Sequence, residues 1–334
     1  MRILFVGYHN PYFISITEYV ERAIENLGHV LLSFDDRKFI IPGRIRDRIP
    51  FLEHLDLARI NKQLLSFAIE HEPDICLVSG GHRIFSKTIK ELKALGIKTV
   101  LWTIDAPAQF EAIINSAPEY DFVFCGGTEA RVILKRFGIK KTYWLPFACE
   151  PNIHKPVTIS KEERERYEKD VAFIGSFYPS RFKILEELSE LDLGVWGPGW
   201  ENIPQDSPLK KHIYPGNLQP EEWLKIYTAA KIVIVVHYQD EKILCYQASP
   251  KVYEILACEK FLLCDKQKDV ERLFEDRKHL VIFKDIEDLK HKIFYYLKHL
   301  KERRAIAEAG FTEVIEKHTY ENRITELINI VAGS

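Results

Sequence analysis

Short apolar runs recur along this chain, each closed by glycine or a polar loop and followed by apolar positions at helical spacing. Residues 2–6, apolar from Ile3 on, are ended by Gly7, the pattern of a strand buried on both faces of a parallel sheet. Ile16, Val20, Ala23, Ile24 and Leu27 then fall at helical spacing, and Gly28 ends that helix. Further strands are predicted at 30–34, 74–78, 99–104, 122–125 and 142–145, with helices over 52–71, 86–95 and 128–137. Residues 35–50 are irregular, with Pro42, Pro50 and several arginines. From Pro146 to Lys169 the composition changes: Pro151 and Pro156 precede the charged run 161–169, which reads as a linker. The alternation then restarts. Strands are predicted at 171–174, 194–196, 232–236, 261–264 and 280–283, and helices at 181–191, 221–230, 249–258 and 270–274. Residues 285–308 read as one long helix or two abutting ones, and 319–330 as a terminal helix.

Strands alternating with helices imply parallel sheets covered on both faces. With 334 residues, more than the roughly 250–300 at which single cores stop growing, two domains are expected. The fold class is therefore α/β, with two Rossmann-like doubly wound domains facing across a cleft. The first spans 1–155 and the second 156–318. The apolar stripe Tyr320, Ile324, Leu327, Ile328 and Val331 lets helix 319–334 pack back on the first domain. Open α/β sheets bind ligands outside the carboxyl ends of their strands. The loops after Val6, Val78, Ile104, Ile174, Trp196 and Val236 should line the site.

Charge and composition narrow the classes. A net charge of −2 provides no basic field for nucleic acid. No stretch of about 18 apolar residues spans a membrane, and the short run at the N-terminus lacks a cleavage pattern, so a cytoplasmic protein is expected. Cys76, Cys125, Cys149, Cys245, Cys258 and Cys264 form no C-x-x-C pair and read as reduced thiols. No D-x-D motif follows an apolar strand; Asp35-Asp36 and Asp240-Glu241 read as solvated loops, and no metal is expected. Arg44, Arg46 and Arg48 read as a solvated loop, or as a patch for an anionic, lipid-linked acceptor at a membrane surface.

Two segments are candidates for phosphate binding. In Phe173-Ile-Gly-Ser-Phe-Tyr-Pro-Ser-Arg181, Gly175 permits close backbone approach after a strand, and Ser176 sits in the same turn. The following helix offers its N-terminal amides to an anion, and Arg181 adds a planar fork for phosphate. In Ser249-Pro-Lys-Val-Tyr-Glu254, Ser249 and Pro250 start a helix, with Lys251 and Glu254 one turn apart. Glu254 reads either as part of the cap or as a ribose ligand, with Lys251 meeting the diphosphate. Gly197 and Gly199, in Val195-Trp-Gly-Pro-Gly-Trp200, would let backbone approach a base; Trp200 reads as packing more than stacking. No G-x-G-x-x-G or Walker lysine motif appears, which disfavours nicotinamide cofactors and ATP hydrolysis.

These segments in order, with Ser249–Leu263 and the terminal His318-Thr-Tyr-Glu-Asn-Arg323, resemble the CgeB-like (spore-maturation) branch of the glycosyltransferases of GT-B fold. The first half resembles the partner domain through Trp102-Thr-Ile-Asp-Ala-Pro107 and Leu145-Pro-Phe-Ala148, and Tyr214-Pro-Gly216 matches a turn near the base. The resemblance implies transfer of a sugar from a nucleotide-sugar, UDP-linked by preference, with no cofactor and no essential metal. The acceptor would be a glycan, a protein or a lipid-linked group. Glu254 matches the second glutamate of the family's paired motif, and Gln247 stands near the first. Lys251 stands where relatives often carry arginine, and Glu259 where glycine is frequent. The base that takes the acceptor's proton is open among Asp105, His82 and His9, all just after strands. Two other functions share this fold: a nucleotide-sugar epimerase, and a binding protein that has lost turnover.

Overall fold

Twelve strands form two six-stranded parallel sheets in the computed structural model, which describes residues 1–46, 48–104, 113–214, 218–239 and 243–333. The chain divides into two units, one of Met1–Pro146 with Tyr320–Ser334 and one of Phe147–Thr319. The division falls ahead of the 155/156 boundary read from the prolines.

The first unit holds β1 (Arg2–Gly7), β2 (Val30–Asp35), β3 (Ile75–Ser79), β4 (Lys98–Thr103), β5 (Phe122–Cys125) and β6 (Thr142–Trp144), in the order β2-β1-β3-β4-β5-β6. The chain winds outward from β1 to β2, then crosses to β3 on the other side. The switch point of this sheet therefore lies between β1 and β3. Leu4, Phe5, Val6, Cys76 and Val78 are fully buried there, because helices cover both faces. The terminal helix Tyr320–Ala332 is part of this core. Tyr320 packs 5.6 Å from Tyr19 and 6.4 Å from Trp102, and Arg323 Nε donates to the Pro146 carbonyl at 3.0 Å. The stripe Tyr320, Ile324, Leu327, Ile328 and Val331 is buried throughout.

The second unit holds β7 (Val171–Ile174), β8 (Leu193–Trp196), β9 (Ile213–Tyr214), β10 (Ile232–Val235), β11 (Leu262–Asp265) and β12 (Val281–Phe283), in the order β12-β11-β10-β7-β8-β9. Its switch point lies between β7 and β10. The helix Pro250–Ala257 is buried from Val252 to Ala257. It packs against the helix Leu300–Lys317, where Gly310 permits the approach: a Cβ there would lie 2.2 Å from the His279 carbonyl oxygen and 2.8 Å from Leu256 Cδ2.

Two sequence expectations need correcting, and of the two readings of the segment after 285 the structure takes the second. The charged run taken as linker contains the helix Lys161–Tyr167. Its cap is reciprocal: Ser160 Oγ accepts from the Glu163 amide at 3.2 Å, and Glu163 accepts from the Ser160 amide at 2.9 Å. The segment after 285 is two helices, Ile286–Lys298 and Leu300–Lys317, separated at His299, whose φ of −105° and ψ of 62° leave the helical region. The short strand β9 was not anticipated.

Candidate active site

The loops that leave β7 and β8 are built against each other. The Gly175 amide donates to the Trp196 carbonyl at 2.9 Å, and the Phe177 amide to the Pro198 carbonyl at 2.9 Å. Gly197 and Gly199 have φ of +135° and +88°, a region in which side chains are strained. A Cβ on Gly197 would lie 2.3 Å from the Gly175 carbonyl oxygen. The Gly197 requirement thus comes from the neighbouring turn and not from a bound base. Trp200 is 1 % exposed, donates Nε1–H to Gly175 O at 2.8 Å, and meets Phe173 and Phe177 edge-on. It is a packing residue, as its place beside glycine suggested.

Arg181 spans the switch point. Its Nε donates to the Val236 carbonyl at 2.8 Å and its Nη1 to the Ser176 carbonyl at 2.9 Å, while the guanidinium carbon lies 4.8 Å from the Tyr178 ring centroid. Two faces of the fork hold backbone, so Arg181 fixes the Gly175-Ser176 turn to the end of β10.

The helix Pro250–Ala257 begins beside this turn's sheet edge. Ser249 Oγ accepts from the Lys251 amide at 3.3 Å, closing the cap. The Ser249 amide donates to His237 Nε2 at 2.9 Å, and His237 Nδ1 lies 2.6 Å from Asp265 Oδ1. Because Nε2 accepts, Nδ1 carries the proton and gives it to Asp265. The same carboxylate accepts from the His237 backbone amide at 3.0 and 3.1 Å. His237, Cys264 and Asp265 are the group among the described residues whose donor atoms lie close enough for a metal. Those donors are spent on one another and on Ser249, which makes the trio a rigid mount for the helix start. Sequence reasoning missed His237 and Asp265, although both stand at carboxyl ends of strands, the criterion applied to Asp105.

Lys251 and Glu254 do share one helix face. Lys251 Nζ is 2.8 Å from Glu254 Oε2 and 4.2 Å from the centroid of the Trp223 ring. Burial opposes ionisation of Glu254, but Lys251 and His154 overcome it and hold the carboxyl below its ordinary 4.5. Burial also pushes His154 down to about 4, so at neutral pH the Lys251 ammonium is the cation that matters. The buried Tyr227 hydroxyl, raised well above its ordinary value by burial and by Glu254, has no hydrogen-bond partner among the described residues. The Lys251 ammonium and the Tyr227 hydroxyl thus both act on the Glu254 carboxylate.

In the first unit the candidate bases separate. His9 has Nδ1 3.2 Å from Glu18, and Nε2 3.2 Å from Glu21 and 3.0 Å from Ser33 Oγ. Both nitrogens are engaged, which ties the β1 loop to the helix Ile16–Asn26. His82 lines a cavity of about 190 Å³ over the carboxyl ends of β1 to β4. Asp105 lies outside the described residues, as do Pro215, Gly216, Asp240 and Glu241. Asp36, expected in a solvated loop, is 2 % exposed, because β2 ends facing this cavity. A larger cavity of about 690 Å³, lined by Met1, Asp74, Ile75 and Lys98 among others, opens at the amino ends of the strands, away from where such sheets bind ligands.

The six cysteines are free thiols, five of them buried. No helix among the described residues is long and apolar enough to cross a membrane.

Residues 181–329 match the glycosyl transferase-like family model. Over 263 residues the chain is 22 % identical to the spore protein CgeB of Bacillus subtilis (strain 168), covering 75 % of this chain and 80 % of that protein. Its fold is similar to that of the sucrose-phosphate synthase of Thermosynechococcus elongatus, with a TM-score of 0.71, 11 % identity and coverage of 99 % of this chain and 98 % of that one. It is similar also to Anabaena HepE solved with UDP-glucose, with a TM-score of 0.68, 11 % identity and full coverage of both chains. Together with the two doubly wound sheets, these likenesses show a two-domain fold of GT-B type whose second half is similar to a glycosyl transferase-like family. Among curated proteins it is similar to the CgeB spore protein, the resemblance that its ordered motifs carry.

Proposed function

We propose that this chain transfers a sugar from a nucleoside-diphosphate donor, UDP-linked by preference, and that the second unit holds the donor without a metal. The observation that carries this reading is the convergence of Lys251, Glu254 and the capped helix start at the β7/β10 switch point. The neighbours solved with UDP-sugars support the same ligand class.

In this reading the ribose hydroxyls bond Glu254, and the diphosphate meets Lys251, the amides of the Pro250–Ala257 helix and the charge of Arg181. The acceptor hydroxyl attacks the anomeric carbon while its proton passes to a base. The bond from that carbon to the diphosphate oxygen breaks, and the diphosphate leaves with the electron pair. The cationic groups and amides stabilise the charge it gains. For the base, Asp105, His82 and His9 are the candidates: His82 lines the cavity over the ends of β1 to β4, and His9 is oriented by two glutamates. An acceptor with a lipid anchor fits Arg44 and Arg46, which lie near the exposed Ile40, Ile45, Ile49 and Phe51 in a segment suited to an anionic membrane surface.

The test is a thermal-shift screen of nucleoside diphosphates in EDTA. A ligand that binds only the folded state raises the melting temperature. UDP should do so with no divalent ion present. A shift that appears only when magnesium or manganese is added contradicts metal-free binding. No shift with any nucleotide contradicts the donor site itself.

A further inference from the structure

A buried carboxylate at the switch point of the first sheet has one oxygen that nothing among the described residues satisfies. Asp36 follows β2; its amide donates to the Gly7 carbonyl at 3.2 Å, which turns the side chain over the end of β1. Oδ2 lies 3.8 Å from Arg83 Nη1, beyond hydrogen-bond distance, and Oδ1 is buried with no partner among the described residues. Burial raises the Asp36 carboxyl above its ordinary value, against the pull of Arg83 and Arg37. An unsatisfied buried carboxylate is costly, and such a group is kept where something outside the chain completes it.

The surroundings say what that is. Asp36 lines the cavity of about 190 Å³ together with Tyr8, Thr17, Arg37, Gly80 and Arg83. These come from the loops after β1, β2 and β3, so the cavity straddles the β1/β3 switch point, where open α/β sheets take their ligands. At about 30 Å³ per water, the volume equals roughly six waters, the scale of one sugar ring and well below a nucleotide site. Arg37 lies over the Tyr8 ring at 3.9 Å, and Arg83 Nη1 stands 3.8 Å from Asp36 Oδ2. One carboxylate and two guanidiniums leave the lining with net positive charge.

We propose that Asp36, Arg37 and Arg83 form the acceptor site, taking a single hydroxylated ring that carries a negatively charged group. A ring hydroxyl donates to Asp36 Oδ1, and the anionic group meets the two guanidiniums. This rests on the sugar-transfer reading and adds the chemical class of the acceptor.

The experiment is calorimetry on the full chain with four probes: glucose, glucose 6-phosphate, glucuronate and inorganic phosphate. UDP is titrated separately as a measure of the second unit. Glucose 6-phosphate or glucuronate should bind about tenfold or more tighter than glucose, the scale of a charge-assisted contact. Whichever of the two binds better identifies the anion as phosphate or carboxylate. Asp36→Asn and Arg83→Gln should each weaken that binding about fivefold or more and leave UDP affinity unchanged. Asp36→Asn should also melt no lower than the wild type, since it removes a buried unpaired charge; a merely structural aspartate would melt lower. If Asp36→Asn does not fold, Arg83→Gln decides. Equal affinity for glucose and the charged sugars, unchanged affinity in the variants, or failure of every sugar to bind while UDP binds would each overturn the proposal. Inorganic phosphate binding as tightly as glucose 6-phosphate would remove Asp36 from it. Loss of UDP binding in the wild type would instead count against the donor reading.

Discussion

Replacing Glu254 by alanine should cost this protein both stability and nucleotide affinity. Glu254 is 7 % exposed and paired with Lys251 at 2.8 Å. Removing one member of a buried pair costs about 3–5 kcal/mol, and the partial exposure of Lys251 sets the expectation at the lower end. If the carboxylate also holds ribose, nucleotide binding should weaken by about 1.5–3 kcal/mol, the scale of a hydrogen bond to a charged group. Urea unfolding and calorimetry on one sample separate the two effects: a residue that only caps the helix lowers stability and leaves affinity intact. The pH dependence carries a further signature. The folded-state pKa of Glu254 is depressed, so the stability it supplies is present above the unfolded value near 4.5 and is lost as pH falls through the folded value. Glu254→Gln should flatten that part of the acid-unfolding curve below pH 4.5. His154 does not interfere at neutral pH, because burial keeps it uncharged down to about 4.

The second large effect belongs to Gly197→Ala. A Cβ there would sit 2.3 Å from Gly175 O and 2.7 Å from Gly175 C, both backbone atoms, at a φ of +135°. No flexible side chain can yield, so the β7 and β8 loops must separate. Strain and misfit together should cost about 2–5 kcal/mol. The displaced turn should also weaken nucleotide binding by about tenfold or more, or ~1.4 kcal/mol. Gly96→Ala is the control. Its φ is +83° and nothing lies within 4 Å of its Cβ, so it should cost only about 1 kcal/mol of backbone strain and leave binding unchanged. Denaturation midpoints and UDP titrations of the two variants make the comparison.

The sheets were legible because their central strands are buried on both faces. Residues 3–6 and 232–235 are continuous apolar runs, and such runs signal strands without alternation. The helix Lys161–Tyr167 was hidden by its composition: almost every position is charged, and Tyr167 alone is buried. Its Ser160-to-Glu163 cap was the readable signal, outweighed by the prolines before it. The two-residue strand β9 is too short to show a pattern. At the site, Gly175, Ser249, Lys251 and Glu254 could be found from turn and cap chemistry. The partners that engage them could not. That Arg181 grips the Val236 carbonyl, that His237 receives the Ser249 amide, and that Gly197 presses on Gly175 all depend on pairings made by the sheet order. Asp36 was misread for the same reason. Two adjacent aspartates look solvated in sequence, and only the pairing of Gly7 with Asp35 turns the second one inward.

The central claim is that the second unit receives the donor diphosphate at its switch point through groups of the protein alone. A crystal structure of the chain with UDP, grown in EDTA, tests it most directly. The account predicts the diphosphate at the amides of the Pro250–Ala257 helix and within reach of Lys251, with the ribose hydroxyls on Glu254. UDP bound over the β1/β3 end of the first sheet, or a diphosphate that appears only with a bridging metal ion, would contradict it.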